Sequence, residues 1–202
     1  MRLKYLLIGL GAGLIALVWW IYKRSRFDAE PAPYTVLRRD KPFELRCYPS
    51  LLVATTPIRG DNDEAFMRLF RFIDRDNAGG EKIAMTTPVF FDGQPGAQEK
   101  MSLVMPQKTA RAGVPAPSSG AVTLDKRPAQ PVAVYRFSGG TCAEREREAV
   151  VRLRAWMVSE GLQSFGEPTI AYYDAPFIPG FLRRNEAMIR VAEEGRGEGS
   201  GD

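Results

Sequence analysis

Glu81-Lys82-Ile83-Ala84-Met85-Thr86-Thr87-Pro88-Val89-Phe90-Phe91 places apolar residues on both sides of a Met-Thr-Thr-Pro step. Adjacent β-branched threonines favour extended backbone, and a proline pushes the residue before it the same way. The stretch predicts a buried strand, a turn or bulge at Pro88, and a short second strand.

An internal repeat surrounds this stretch. Pro49-x-x-x-Val53-Ala54, with Gly60 six residues later, recurs as Pro128-x-x-x-Val132-Ala133 with Gly139, at a constant offset of 79 residues. After each glycine comes a helix-start signal, Asp61-x-x-Glu64 and then Thr141-x-x-Glu144, both fitting a capping box. The first helix runs to about Ile73 and buries Phe66, Leu69, Phe70 and Ile73, spaced i, i+3, i+4, i+7. The second runs to about Val158 over Val150, Leu153 and Met157, flanked by Ala149 and Trp156, with Glu148 and Arg152 paired on its wet side.

Extended segments follow each helix. In the first half they are 82–84, 89–91 and 101–106; in the second, 169–173 and 185–191, with Thr169-Ile170-Ala171 as the counterpart of Lys82-Ile83-Ala84. Residues 107–120 read as the connection between the halves, which span about 43–106 and 122–191. Each half is strand–strand–helix–strand–strand. The predicted class is therefore α+β, a pseudo-twofold pair of units whose strands form a curved or barrel-like antiparallel surface carrying two helices.

Outside this domain, residues 5–22 are an uncharged run ending in Trp19, Trp20 and Tyr22, with Lys23, Arg24 and Arg26 beyond. As a helix at about 1.5 Å per residue the run spans about 27 Å, enough for a bilayer core. Aromatics followed by cations suit its end at an interface. A cleaved signal peptide wants a small-x-small site there, where this chain has Trp-Trp-Ile-Tyr-Lys-Arg. The predicted order is a membrane anchor over 1–26, a linker over 27–33, the domain over 34–191 and a Gly/Glu-rich disordered tail over 192–202. The cations flanking the run balance, so the side of the membrane that carries the domain stays open.

Composition narrows the chemistry. The chain of 202 residues has a net charge of +4, too small to argue for nucleic acid. It has no histidine, which removes the usual general base and the usual transition-metal and haem ligand together. Cys47 and Cys142 are far apart and in no metal-binding spacing. No nucleophile–base set, P-loop or dinucleotide fingerprint is present, so no catalytic residue or metal site is assigned.

On the first helix Arg68, Arg71 and Arg75 form a basic stripe, with Met67 on one flank and Phe72 on the other. Guanidinium groups pair with carboxylate or phosphate, and Met or Phe covers a flat apolar body. The alternative is an ordinary solvated helix face. Met85 is a further ligand contact or a core filler.

Lys82-Ile83-Ala84-Met85-Thr86-Thr87-Pro88-Val89, Glu44-Leu45-Arg46-x-Tyr48, Met105-Pro106 and the long run from Tyr173-Asp174-Ala175-Pro176-Phe177 to Phe181-x-Arg183-Arg184-Asn185-Glu186 together resemble the SOUL haem-binding protein family. The likeness covers about Tyr34 to Val191. It implies a distorted antiparallel β-barrel with two helices, akin to the ligand-binding domains of bacterial transcription effectors. It also implies a shallow apolar groove for haem or another tetrapyrrole beside the first helix. The missing histidine departs from family members for which a histidine ligand has been proposed. Haem here would be ligated by Cys, Met or Tyr, or held by stacking and by pairing of its propionates. The expected function is a membrane-tethered binding protein for haem, another tetrapyrrole or a similar flat amphipathic molecule. The alternatives are an enzyme acting on such a ligand and a membrane-associated protein-interaction module.

Overall fold

The computed structural model of the chain describes residues 29–192. The expected anchor at 5–22 and all but the first residue of the expected tail lie outside the described residues. Among those described, no helix is long and apolar enough to cross a membrane.

The first half comprises β1 (Glu30–Pro31), β2 (Thr35–Asp40), β3 (Phe43–Tyr48), β4 (Leu51–Pro57), α1 (Asn62–Ile73), β5 (Thr86–Thr87), β6 (Val89–Gln94) and β7 (Ala97–Val104). A short helix, α2 (Gln107–Ala112), opens the second half. It is followed by β8 (Thr123–Arg127), β9 (Gln130–Phe137), α3 (Ala143–Ser159), β10 (Ser164–Tyr172), a 3-10 turn at Gly180–Leu182, and β11 (Asn185–Val191). The short helix sits in the segment expected to be plain connection.

Nine strands form one antiparallel sheet in the order β2-β3-β9-β11-β10-β6-β7-β4-β8. The order is symmetric about the β10–β6 seam: β11, β9 and β3 on one side match β7, β4 and β8 on the other. Each half is strand–strand–helix–strand–strand, and each lends its first strand to the other, β3 to β9 and β8 to β4. The expected barrel does not close. Its would-be closing strands, β2 and β8, are largely exposed and read Thr-Val-Leu-Arg-Arg-Asp and Thr-Leu-Asp-Lys-Arg. Charged edges of this kind resist further pairing.

Both helices lie on one face of the sheet. Leu69, Phe72 and Ile73 of α1 pack with Ala54, Met101 and Leu103, while Val150, Leu153 and Met157 of α3 pack with Ala133, Ile170 and Ile189. Neighbouring residues on the same strands, Val53, Val132, Val134 and Met188, form a second core on the opposite face. Successive strand side chains point to opposite faces, so burial on both sides explains why these strands read as continuous apolar runs.

The helix starts differ in chemistry. Asp61 caps α1, its carboxylate accepting from the Asp63 amide at 2.8 Å. In α3 the N-cap is Cys142, not the expected Thr141, and its side chain makes no capping bond. Burial along α3 follows the expected pattern, and Arg152 donates to Glu148 at 2.6 Å.

Within the opening stretch, Lys82-Ile83-Ala84 is not a strand. Ile83 is buried against α1 and donates its amide to the Ile73 carbonyl at 2.8 Å, so this segment closes the helix end instead of joining the sheet. Across the sheet seam, Thr169, Ile170 and Ala171 face Asp92, Phe91 and Phe90, which replace Lys82-Ile83-Ala84 as their counterpart. Thr86–Thr87 pairs in parallel with Glu30–Pro31, and Thr86 Oγ1 donates to the Val104 carbonyl at 2.6 Å. The Thr87–Pro88 bond is cis. The end of the expected linker is thus fixed on the domain, with Ala32 buried and its amide bonded to the Thr87 carbonyl at 2.7 Å.

Candidate functional site

On α1 the buried face consists of Ala65, Leu69, Phe72 and Ile73. This phase is rotated from the expected one: Phe72, only 2% exposed, lies in the core, while Phe70 is 40% exposed. Small Ala65 lets the helix approach the sheet along that line. Outward, Phe66 and Phe70 stack with ring centroids 6.2 Å apart, and Met67 is 42% exposed beside them.

The three arginines play different parts. Arg68 is tethered to the end of β4, donating from Nε to Thr56 Oγ1 at 3.0 Å and from Nη2 to the Pro57 carbonyl at 2.6 Å. Arg71 is exposed and has no carboxylate partner among the described residues. Arg75 lies just past the helix with φ of 83°, a conformation that non-glycine residues rarely adopt. Buried Asn77 locks the turn that follows, donating from Nδ2 to the Phe72 and Glu81 carbonyls and accepting from the Glu81 amide at 3.1 Å. Met85 is half-buried against the α1 core. The structure therefore exposes Met67 and Arg71 on the helix and Arg75 just beyond it, holds Arg68 half-buried against β4, and turns Phe72 and Met85 inward.

A second feature is a groove of about 920 Å³ between β3, the end of β9, α3 and the loop before β11. The groove wraps round the ends of these strands, and on the sheet face away from α3 Arg46 donates from Nη1 to Glu186 Oε2 at 2.7 Å and from Nη2 to Glu186 Oε1 at 2.9 Å, with both side chains at most 3% exposed. Arg184 donates to Glu186 Oε1 at 2.7 Å, Tyr173 to Oε2 at 2.8 Å, and Arg46 Nε to Glu44 at 2.7 Å. Burial alone would raise the Glu186 carboxyl pKa, but the bonds and charges of Arg46 and Arg184 outweigh it and hold it below the usual carboxylate value. Burial pushes the Tyr48 hydroxyl up to about 12, against the opposing charge of Arg46. The sequence motifs contain Arg46, Tyr48, Tyr173, Arg184 and Glu186 but do not show that they pair, because Arg46 and Glu186 lie 140 residues apart.

The opposite face of the sheet carries a cleft of about 420 Å³ over Val53, Phe90, Val132 and Met188, rimmed by an Arg127–Asp92 ion pair. Between the helix starts, buried Glu146 accepts from Gln98 at 2.8 Å and from the Tyr172 hydroxyl. Burial and the Glu146 carboxylate push that hydroxyl above its ordinary pKa. Cys142 nearby is free, as is Cys47. Backbone N–H groups of Arg145 and Glu144 lower the Cys142 thiol pKa. No group of three or more metal-ligating side chains occurs among the described residues.

The architecture is an open antiparallel sheet with α1 and α3 on one face and concave surfaces on both sides. The sequence profile of the SOUL heme-binding proteins matches residues 29–190, and the chain belongs to that family. Solved structures share the fold at low identity. The C-terminal domain of EcmrR superposes with a TM-score of 0.56 at 14% identity, covering 79% of this chain and 98% of that one. A hydrolase from Listeria innocua gives 0.53 at 13% identity, covering 85% and 98%. An uncharacterized conserved protein from the same organism gives 0.56 at 14%, covering 74% and 92%. No curated protein matches the sequence.

The family implies haem, and the fit to this chain is divided. The Phe66–Met67–Phe70 ridge offers an apolar bed, and Arg71 and Arg75 offer partners for propionate carboxylates. The chain supplies no histidine to the iron.

Proposed function

We propose that the protein binds a flat, anionic amphiphile of the tetrapyrrole class over the outer face of α1, as a carrier or buffer. The observation that carries this reading is the exposed pair Met67 and Phe70, backed by half-buried Phe66 and bordered by Arg71 with no carboxylate partner among the described residues. Rings covering a macrocycle gain from apolar burial and offset stacking. A guanidinium at the edge pairs with its carboxylate. Arg68 contributes position as well as charge, since its bonds to β4 fix the helix against the sheet. Phe72 and Met85 support the bed from beneath. Haem, if it is the ligand, gains an iron bond only from a thioether, thiol or phenol, so the macrocycle carries most of the affinity. A membrane tether through residues 5–22 fits an amphiphile partitioned into lipid. Only seven residues separate Tyr22 from Glu30, which is fixed on the domain.

The test is a Soret and tryptophan-quenching titration of the full chain with haem and with iron-free protoporphyrin. Both are expected to bind. Combining Phe70→Ala with Arg71→Glu should weaken either by about ten- to a hundredfold, the worth of a charge-assisted hydrogen bond. The unfolding midpoint should hold, because both side chains are exposed. Unchanged affinity in that variant would remove the site from α1.

A further inference from the structure

We infer that the groove against α3 is a second binding site, for a phosphate group carried on an apolar or aromatic body. It is independent of the α1 reading, since none of the α1 ridge residues lines it.

Eight cations line the groove against two carboxylates, Glu44 and Glu148, with Glu186 paired to Arg46 and Arg184. Even after subtracting all three, the groove carries more positive charge than the net +4 of the whole chain. Local pairing accounts for only half of these cations. Arg39, Arg46 and Arg184 share Glu44 and Glu186, and Arg152 pairs with Glu148. Lys41, Arg136, Arg145 and Arg183 make no ion pair among the described residues. Arg183 donates to the carbonyls of Ile178 and Pro176, and Arg145 to that of Gly140. Such bonds fix a guanidinium without neutralising it.

Four cations without an ion pair thus border a groove that wraps round the strand ends, and together they give it a positive field that attracts an anion. Seven of the eight cations are arginine, whose planar fork matches a phosphate with paired N–H donors.

Arg145 and Arg183 are held in place before any ligand arrives. Gly139 donates its amide to the Gly180 carbonyl at 2.9 Å, and Asn185 Nδ2 donates to the Gly139 carbonyl at 2.9 Å. A Cβ at Gly180 would lie 2.9 Å from the Gly140 nitrogen, so glycine is needed for the loops to meet. This contact joins the loop before α3 to the 3-10 turn before β11, the two segments that lead into Arg145 and Arg183. On the sheet face away from α3, the buried Arg46–Glu186 pair satisfies its own charges, which leaves the outer cations for a ligand. Tyr135 and Phe137 stack at 6.3 Å along one wall, and Phe181 is 78% exposed at the lip. These rings suit an apolar body attached to the phosphate. A phospholipid headgroup and a soluble phosphorylated molecule share that chemistry.

The test is calorimetry of the full chain with inorganic pyrophosphate, beside flotation with phosphatidylglycerol and phosphatidylcholine vesicles. Saturable pyrophosphate binding that falls at least about tenfold in an Arg136→Glu, Arg145→Glu variant supports a soluble phosphate ligand. Selective binding to phosphatidylglycerol vesicles, lost in the same variant, supports a lipid headgroup. Arg136→Gln with Lys41→Gln removes charge without reversing it, and should weaken binding if the reversed variant fails to fold. Arg71→Glu on α1 should leave pyrophosphate affinity unchanged, whatever it does to porphyrin. No binding of pyrophosphate and no preference for phosphatidylglycerol would overturn the inference, as would binding that survives both sets of groove substitutions.

Discussion

Glu186→Gln is expected to destabilise the protein by about 3–5 kcal/mol, the usual cost of breaking a buried ion pair from one side. The glutamine leaves Arg46 buried with one remaining carboxylate, Glu44, and strips the partner from Arg184. Urea denaturation measures the loss. The same residue governs acid behaviour. Its folded pKa is depressed, so the stability it contributes is fully present above the unfolded value of about 4.3 and is lost as pH falls through the folded value. Wild-type stability should therefore drop on acidification below about pH 4, and the glutamine variant should show a shallower drop. Equal slopes would mean that Glu186 does not carry the charge assigned to it.

The second large effect concerns the phase of α1. Phe72→Ala should cost about 3–5 kcal/mol because the side chain is buried between helix and sheet. Phe70→Ala, two residues earlier, should change stability by less than about 0.5 kcal/mol and act on ligand affinity instead. Thermal denaturation of the two variants separates the core face from the outer face. A reversed ranking would return the helix to the phase expected from its periodicity.

The sequence made the helices legible because their signals are local: Asp61 at the start of α1, and Ala149, Val150, Leu153, Trp156 and Met157 along α3. The strand–strand–helix–strand–strand halves were legible for the same reason. The phase of α1 was not, because apolar residues at 65, 66, 67, 69, 70, 72 and 73 define more than one face. Only the small Ala65 hints at which side meets the sheet. Closure of the sheet depends on how the two end strands meet, and nothing within Thr35–Asp40 or Thr123–Arg127 states that they stay apart. The Arg46–Glu186 pair requires β3, β9 and β11 to be neighbours, a long-range fact. The α3 groove likewise draws its arginines from separate segments, in which no more than two cations stand side by side, as at Arg183-Arg184. Of the α1 set, Met67 and Arg71 were legible as surface groups from spacing alone, while Phe72 was read outward when it faces the core.

The placement of ligand on α1 is tested most directly by hydrogen exchange of the full chain with and without protoporphyrin. Added protection is expected in peptides spanning Asn62–Arg75, with little change over Ala143–Ser159. Protection concentrated over Ala143–Ser159, or absent from Asn62–Arg75 at saturating porphyrin, would contradict it.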